Sequence, residues 1–221
     1  MDPTVWFLTG NAGKLVEATN HLSHLGYVVK QLVVEGDQLY EPQAETLEIV
    51  AKSKISQALQ HLPNEFAEDD MILVEDAGLF VSALDGFPGI YSSYAYSTIG
   101  NSGIIRLLNH LETEDTVSSA SLRAAHFKAV AAIWRDGEIL IGEGICPGHI
   151  ALEPMEGAGF GFDPIFIPYD LDKDFQPLSA GNYGEHSTHG KTFGGVDLAT
   201  KNKFSHRTRA LQNLFNQLPS A

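Results

Sequence analysis

At 221 residues, 43% of them hydrophobic and 19% charged, the chain is sized for one large domain or two lobes sharing a sheet. That composition reads as an ordinary globular protein, not a disordered one, and no run approaches the ~18 apolar residues that a helical bilayer span needs. A formal net charge of −14 with only 14 Lys and Arg argues against broad nucleic-acid binding, which needs many phosphate contacts, but leaves room for a small anionic ligand if those cations converge.

Val5-Trp6-Phe7-Leu8 is a short apolar run that reads as a buried strand, and Thr9-Gly10-Asn11 turns it. Leu15, Ala18, Leu22 and Leu25 then recur at helical spacing until Gly26, and a second strand spans Tyr27 to Val34. Residues 35–45 are polar and loop-like, and Leu47 to Leu62 reads as a helix closed by Pro63. Met71 to Val74 is a strand that delivers Glu75-Asp76-Ala77-Gly78 at its C-terminal end, where open α/β sheets bind ligands. Asp85-Gly86 and Pro88-Gly89 mark turns before a helix at Ile104 to Leu111. Phe127 to Trp134 and Glu138 to Ile145 flank Asp136-Gly137 as a hairpin. A further strand is expected at Phe160 to Ile167, an exposed insertion at 169–190, and a last helix with Ser205 as N-cap and Ala210, Leu211, Leu214, Phe215 and Leu218 inside. This order predicts an α/β fold with a mixed sheet in two lobes. The lone cysteine, Cys146, and the lack of a signal pattern at Met1-Asp2-Pro3 predict a cytoplasmic protein.

Four segments carry chemistry. Thr9-Gly10-Asn11-Ala12-Gly13-Lys14 joins strand to helix, so backbone amides and one lysine meet at a helix start, the arrangement that grips phosphate. It is equally readable as a plain turn capped by Asn11, and it is not a Walker A loop, since Leu15 stands where that motif has Ser or Thr. Glu75 and Asp76 are adjacent in extended chain and point opposite ways, so they suit two jobs: a ligand for Mg²⁺ and a base for water. The alternative is a cap or a salt-bridged pair. Ser205-His206-Arg207, with Lys201 upstream, offers cations at a helix start. Phe160-Gly161-Phe162-Asp163 offers aromatics for stacking and a carboxylate for ring N–H groups, or simply core and turn.

Taken together, TGNAGK at 9–14, VEDAGLFVSALDGFPGIYS at 74–92, GFGFDPIF at 159–166, TF at 192–193 and KNKFSHR at 201–207 resemble the inosine triphosphate pyrophosphatase family along the whole chain. The resemblance implies an elongated mixed β-sheet with flanking helices in two lobes around a central cleft. It implies a homodimer that hydrolyses ITP, dITP or XTP to the monophosphate and pyrophosphate with Mg²⁺, Mn²⁺ being a possible substitute. By position, Thr9, Asn11 and Lys14 would hold phosphates, with Gly10, Ala12 and Gly13 in the same turn, and Lys201 would add a contact. Glu75 would bind metal and Asp76 would activate water while sharing the metal; Lys14 and Lys201 would support catalysis. Phe160 and Phe162 would flank the base, Asp163 would read its edge or the sugar, and His206 and Arg207, after Ser205, would recognise the 6-oxo purine. A donor facing C6 rewards hypoxanthine and xanthine and opposes the amino group of adenine.

The chain departs from that family pattern in two places. Gly194-Gly195 follow Phe193 where an acidic residue is usual. The third metal carboxylate is assigned to Glu41, with Glu35 as the alternative, and a further phosphate contact to Lys54, with Lys52 competing. In the insertion, Asp170, Asp172 and Asp174 alternate as in a calcium loop, but Phe175 and Gly181 stand where Gly and Glu are needed. Glu185, His186 and His189 could bind metal; a polar loop near the cleft mouth or dimer edge is the expectation. Rival readings are a hydrolase of other modified nucleotides and a catalytically silent nucleotide sensor.

Overall fold

The computed structural model describes residues 3–34, 39–40, 42–155, 157 and 159–218. Among these, six strands form one sheet in the order β2-β1-β3-β4-β5-β6: β1 is Thr4–Leu8, β2 Val28–Leu32, β3 Met71–Val81, β4 Ala124–Arg135, β5 Glu138–Ile150 and β6 Phe166–Pro168. β1 runs parallel to both β2 and β3, whereas β6 is antiparallel to β5, so the sheet is mixed as expected. The helices are α1 (Ala12–Ser23), α2 (Leu47–Ala58), α3 (Ser92–Thr98), α4 (Gly100–Leu107), α5 (Thr116–Leu122), α6 (Leu198–Phe204) and α7 (His206–Phe215). No helix among the described residues is long and apolar enough to cross a membrane.

The chain divides into two compact units. The first holds Met1–Ala77, Ala129–Gly144 and Arg207–Ala221. Its core joins Val5 and Phe7 of β1, Met71 and Leu73 of β3 and alternate residues of β4 to Ala18 and Leu22 of α1 and Ala210, Leu211 and Leu214 of α7. Asp70 ties the entry of β3 to β1: its carboxylate accepts the Trp6 Nε1–H at 2.8 Å and the Thr4 N–H at 3.1 Å. The β4–β5 turn is Asp136-Gly137, both at positive φ (51° and 87°), the geometry that two-residue hairpins require.

The second unit holds Gly78–Lys128 and Ile145–His206. Leu79, Ile104, Phe127, Ile150, Phe166 and Phe204 lie in its core. Arg123 is a buried staple whose guanidinium donates to the carbonyls of Leu108, Ile150 and Ala151 at 2.7–2.9 Å. In the segment 169–190, Leu171 is buried and bridges to Pro177 and His186, while Asp170 and Asp172 accept backbone N–H groups of Gly184, Asp174 and Gln176. The alternating aspartates therefore cap turns. No group of three or more His, Cys, Asp or Glu among the described residues is arranged to hold a metal.

Three elements differ from the reading of the sequence. β3 does not stop at Val74; it continues to Val81 because Leu79 and Val81 bury and Gly78 permits close approach of the Gly89 carbonyl, where a Cβ would overlap it. Glu75 and Asp76 therefore sit inside the strand. Residues 160–167 are not a strand: Gly159 and Gly161 take positive φ (124° and 61°), a 3-10 turn follows at Asp163–Ile165 and only Phe166–Pro168 pairs. Lys201 lies within a helix, α6, capped by the Asp197 carboxylate on the Thr200 N–H at 2.7 Å.

Candidate active site

In the first unit the turn after β1 is held from within. The Thr9 hydroxyl accepts the Asn11 N–H at 3.1 Å, and the Asn11 side chain caps α1 by accepting from Gly13 N (2.8 Å) and Lys14 N (3.2 Å). Gln31 donates to the Thr9 carbonyl at 2.7 Å. Gly10 and Ala12 are exposed.

Strand parity decides what each carboxylate meets. The parallel register pairs Phe7 with Leu73, and continuing it sets Glu75 level with Thr9. Glu75 shares the face of Met71 and Leu73, which α1 and α7 cover, so its neighbours come from those helices. Lys14 Nζ lies 3.0 Å from Glu75 Oε2 and donates to the Glu75 carbonyl at 3.2 Å. Arg207 Nε donates to the same Oε2 at 3.1 Å, and Arg207 Nη1 pairs with Glu17 of α1. Burial lowers the pKa of the Arg207 guanidinium, but Glu75 and then Glu17 more than offset this and hold it above its ordinary range. Asp76 points to the opposite face and meets α2: Lys54 Nζ is 3.1 Å from its Oδ1. Lys52 is turned outward and pairs at 2.6 Å with Glu48, one helical turn away.

Carboxylate oxygens are the donor type that a hard divalent cation takes, and of the two it is Asp76 that lies outside the core packed by α1 and α7. Mg²⁺ is commonly held by one or two carboxylates together with substrate phosphates, and each of these two carboxylates faces a lysine. Glu41 and Glu35 lie outside the described residues. The adjoining Tyr40 is clasped by Gln57, which donates to its carbonyl and accepts its N–H, both at 2.9 Å.

The second unit assembles the aromatic segment. Asp163, 3% exposed, accepts the Phe160 N–H at 2.9 Å and pairs with Lys201 Nζ at 2.8 Å. Lys201 also lies over the Phe160 ring at 4.9 Å and the Phe193 ring at 5.7 Å. Phe160 keeps 37% of its surface exposed, whereas Phe162 is buried against Tyr96 edge-on at 5.6 Å. One ring is thus partly exposed and the other is core. Asn101 at the start of α4 donates to the Gly161 carbonyl at 3.2 Å. His206 is buried and stacks on Phe127 at 4.8 Å, and Ser205 beside it is fully buried.

The family model described as Ham1 family matches residues 5–217. The chain belongs to the Ham1 family. It is 40% identical to the dITP/XTP pyrophosphatase of Thermococcus kodakarensis over 96% of this chain and 95% of that protein, and 36% identical to the enzyme of the same name from Pyrococcus horikoshii over 97% and 96%. Among solved structures, the Staphylococcus aureus Ham1 protein superposes with a TM-score of 0.66 at 26% identity, covering 95% of this chain and 94% of the other. The dITP/XTP pyrophosphatase of Mycobacterium abscessus does so with a TM-score of 0.61 at 25% identity, covering 95% and 97%. The resemblance seen in the motifs is thereby borne out.

As a Ham1 protein the chain shows what its departures mean locally. Gly194 packs against Pro164, and a Cβ on Gly157 would overlap the Gly194 carbonyl, so the Gly-Gly segment after Phe193 fills a tight turn. Within the first unit Lys14, Glu75 and Arg207 come together, as do Lys54 and Asp76; within the second, Phe160, Asp163 and Lys201 do. Arg207 meets carboxylates, while His206 meets an aromatic ring. Reading the sequence missed Glu17, Gln57, Tyr96 and Asn101. Glu17 alone left a signal: it follows Lys14 by three residues and so shares its helix face.

Proposed function

We propose that this Ham1 protein is a Mg²⁺-dependent pyrophosphohydrolase that converts ITP, dITP and XTP to the monophosphate and pyrophosphate. The carrying observation is the set around β3 in the first unit: two carboxylates on opposite faces of one strand, each already facing a lysine from a different helix. The activity named for the relatives from Thermococcus and Pyrococcus supports the substrate class.

Asp76, with Glu41 or Glu35, would hold Mg²⁺, which when bound polarises phosphate oxygens and offsets their charge, whereas Glu75, on the other face of β3 and paired with Lys14 and Arg207, would stay outside that ligand set. Asp76 takes the proton of the attacking water. The water oxygen forms a bond to the α-phosphorus, the bridging P–O bond to the β-phosphate breaks, and its electron pair leaves with pyrophosphate. Lys54 orients Asp76, and Lys14 with the turn at Thr9 to Gly13 receives phosphate oxygens. Within the second unit, the partly exposed Phe160 ring, braced by Asp163 and Lys201, offers a face that a purine base can stack on.

The reading extends to a cytoplasmic homodimer. Exposed Phe87, Tyr91 and Tyr94 (41%, 48% and 71% exposed) support a contact surface, since aromatics are enriched at interfaces. A panel of ITP, XTP, dITP, GTP, ATP and dUTP tests specificity: turnover of the first three should exceed the others by at least about tenfold. A preference for dUTP would support a pyrimidine hydrolase, and binding without turnover a sensor.

A further inference from the structure

We infer that Asn101 is a positioning residue for base recognition, its side-chain amide holding the turn that presents the Phe160 ring; this rests on the reading of that ring as the stacking surface. From Phe160 onward the turn pairs in 3-10 fashion, each N–H donating three residues back. The Asp163 N–H reaches the Phe160 carbonyl at 3.2 Å, and the Ile165 N–H reaches the Phe162 carbonyl at 3.1 Å. The bond between these two would run from residue 164 to the Gly161 carbonyl. That residue is Pro164, which has no N–H to give. Asn101 fills the gap from outside the turn, its Nδ2 donating to the Gly161 carbonyl at 3.2 Å.

The bond matters at this place because Gly161 sits at φ 61° with no side chain, so sterics alone leave its peptide plane free to swing. Asp163 holds the amide of Phe160 and Asn101 holds the carbonyl one residue on, so the backbone is gripped on both sides of the ring. The grip is referred to a rigid frame: α4 is anchored by Ile104 and Ile105 in the core of the second unit, and Tyr96 of α3 packs against Phe162. Asn101 Oδ1 is buried with no hydrogen-bond partner among the described residues. An amide that donates while its acceptor goes unmet adds little net stability. What Asn101 supplies is the place of the turn.

Calorimetric titration with two probes tests this without turnover: α,β-methylene-ITP, whose bridge resists hydrolysis, and pyrophosphate, which carries no base. The full chain is compared with Phe160→Ala, Asn101→Ala and Asn101→Asp. Phe160→Ala should weaken the nucleotide about 5- to 150-fold, the worth of one base stacked on an aromatic ring. Asn101→Ala should weaken it about 2- to 10-fold, the worth of one neutral hydrogen bond. Asn101→Asp has the same shape but an ionised carboxylate cannot donate, so it should lose at least as much. Pyrophosphate affinity should stay at the parent value in all three. Nucleotide affinity like the parent's in both Asn101 variants, while Phe160→Ala loses it, overturns the inference and leaves the stacking reading standing. Equal losses for both probes would mark a general structural role and overturn it too. If Phe160→Ala binds the nucleotide like the parent, or the parent binds it no more tightly than pyrophosphate, the stacking reading fails and the inference with it. Should Asn101→Ala not fold, the isosteric Asn101→Asp still decides.

Discussion

Replacing Asp163 by alanine strikes the base side of the proposed site at its support. The carboxylate holds Lys201 Nζ at 2.8 Å and the Phe160 N–H at 2.9 Å, and the two charged side chains are 4% and 6% exposed. Removing one partner of such a pair leaves a buried charge and costs about 3–5 kcal/mol. The orphaned Phe160 amide adds roughly 1 kcal/mol. For a chain of this size each kcal/mol is worth about 2–4 °C, so the midpoint should fall by roughly 8–24 °C. Urea unfolding and thermal scans on Asp163→Ala, Lys201→Met and the double variant complete the cycle, and the double variant should be more stable than Asp163→Ala because no charge is left unpaired. A loss below about 1 kcal/mol in Asp163→Ala would mean the pair behaves as a surface ion pair, and the account of the loop would be wrong.

Asp76→Asn should lower kcat by about 10²- to 10⁴-fold while ITP binding by calorimetry changes little; comparable turnover would remove Asp76 as the base. His149 is pulled down to about 4 by burial and then by the nearby Arg123 charge. Protons then bind the unfolded chain preferentially between pH 6.5 and 4, so its contribution is complete above pH 6.5 and is lost as pH falls to 4, on the order of 3 kcal/mol. His149→Phe should flatten that part of the stability profile, and an unaltered slope would refute it. Asp70 is also held below its ordinary range, where hydrogen bonds from Trp6, Ala67 and Thr4 outweigh burial, which raises it. Its stabilisation is present above pH 3.8 and declines only as pH drops through the lower folded value, which Asp70→Asn should abolish. Gly78→Ala places a Cβ on the Gly89 carbonyl oxygen and should cost more than about 2 kcal/mol in denaturant unfolding; a neutral outcome would contradict the tight packing along β3.

Much of the fold was legible because period and punctuation agreed. The apolar run at Val5 to Leu8, the helical spacing after Lys14 and the Asp136-Gly137 hairpin all form where expected, since each is decided by local pattern. What the pattern could not show was continuation. β3 runs past two carboxylates because Glu75 finds Lys14 and Arg207, and ion pairs across such distances in sequence leave no periodic trace. The segment at Phe160 reads as a strand by composition, but the φ values of Gly159 and Gly161 and the Asp163–Lys201 pair fold it as a turn. In the site, the choice of Lys54 over Lys52 beside Asp76 follows from which face of α2 meets β3, a tertiary fact. Glu17 and Gln57 were invisible as site residues because their partners, Arg207 and Tyr40, are set by packing.

The central claim is cleavage between the α- and β-phosphates, and product analysis on dITP with Mg²⁺ tests it most directly. Separation of the products by ion exchange should give dIMP and pyrophosphate in equal amounts, with no dIDP at any time. Accumulation of dIDP with orthophosphate would place the water on the γ-phosphorus and contradict the account.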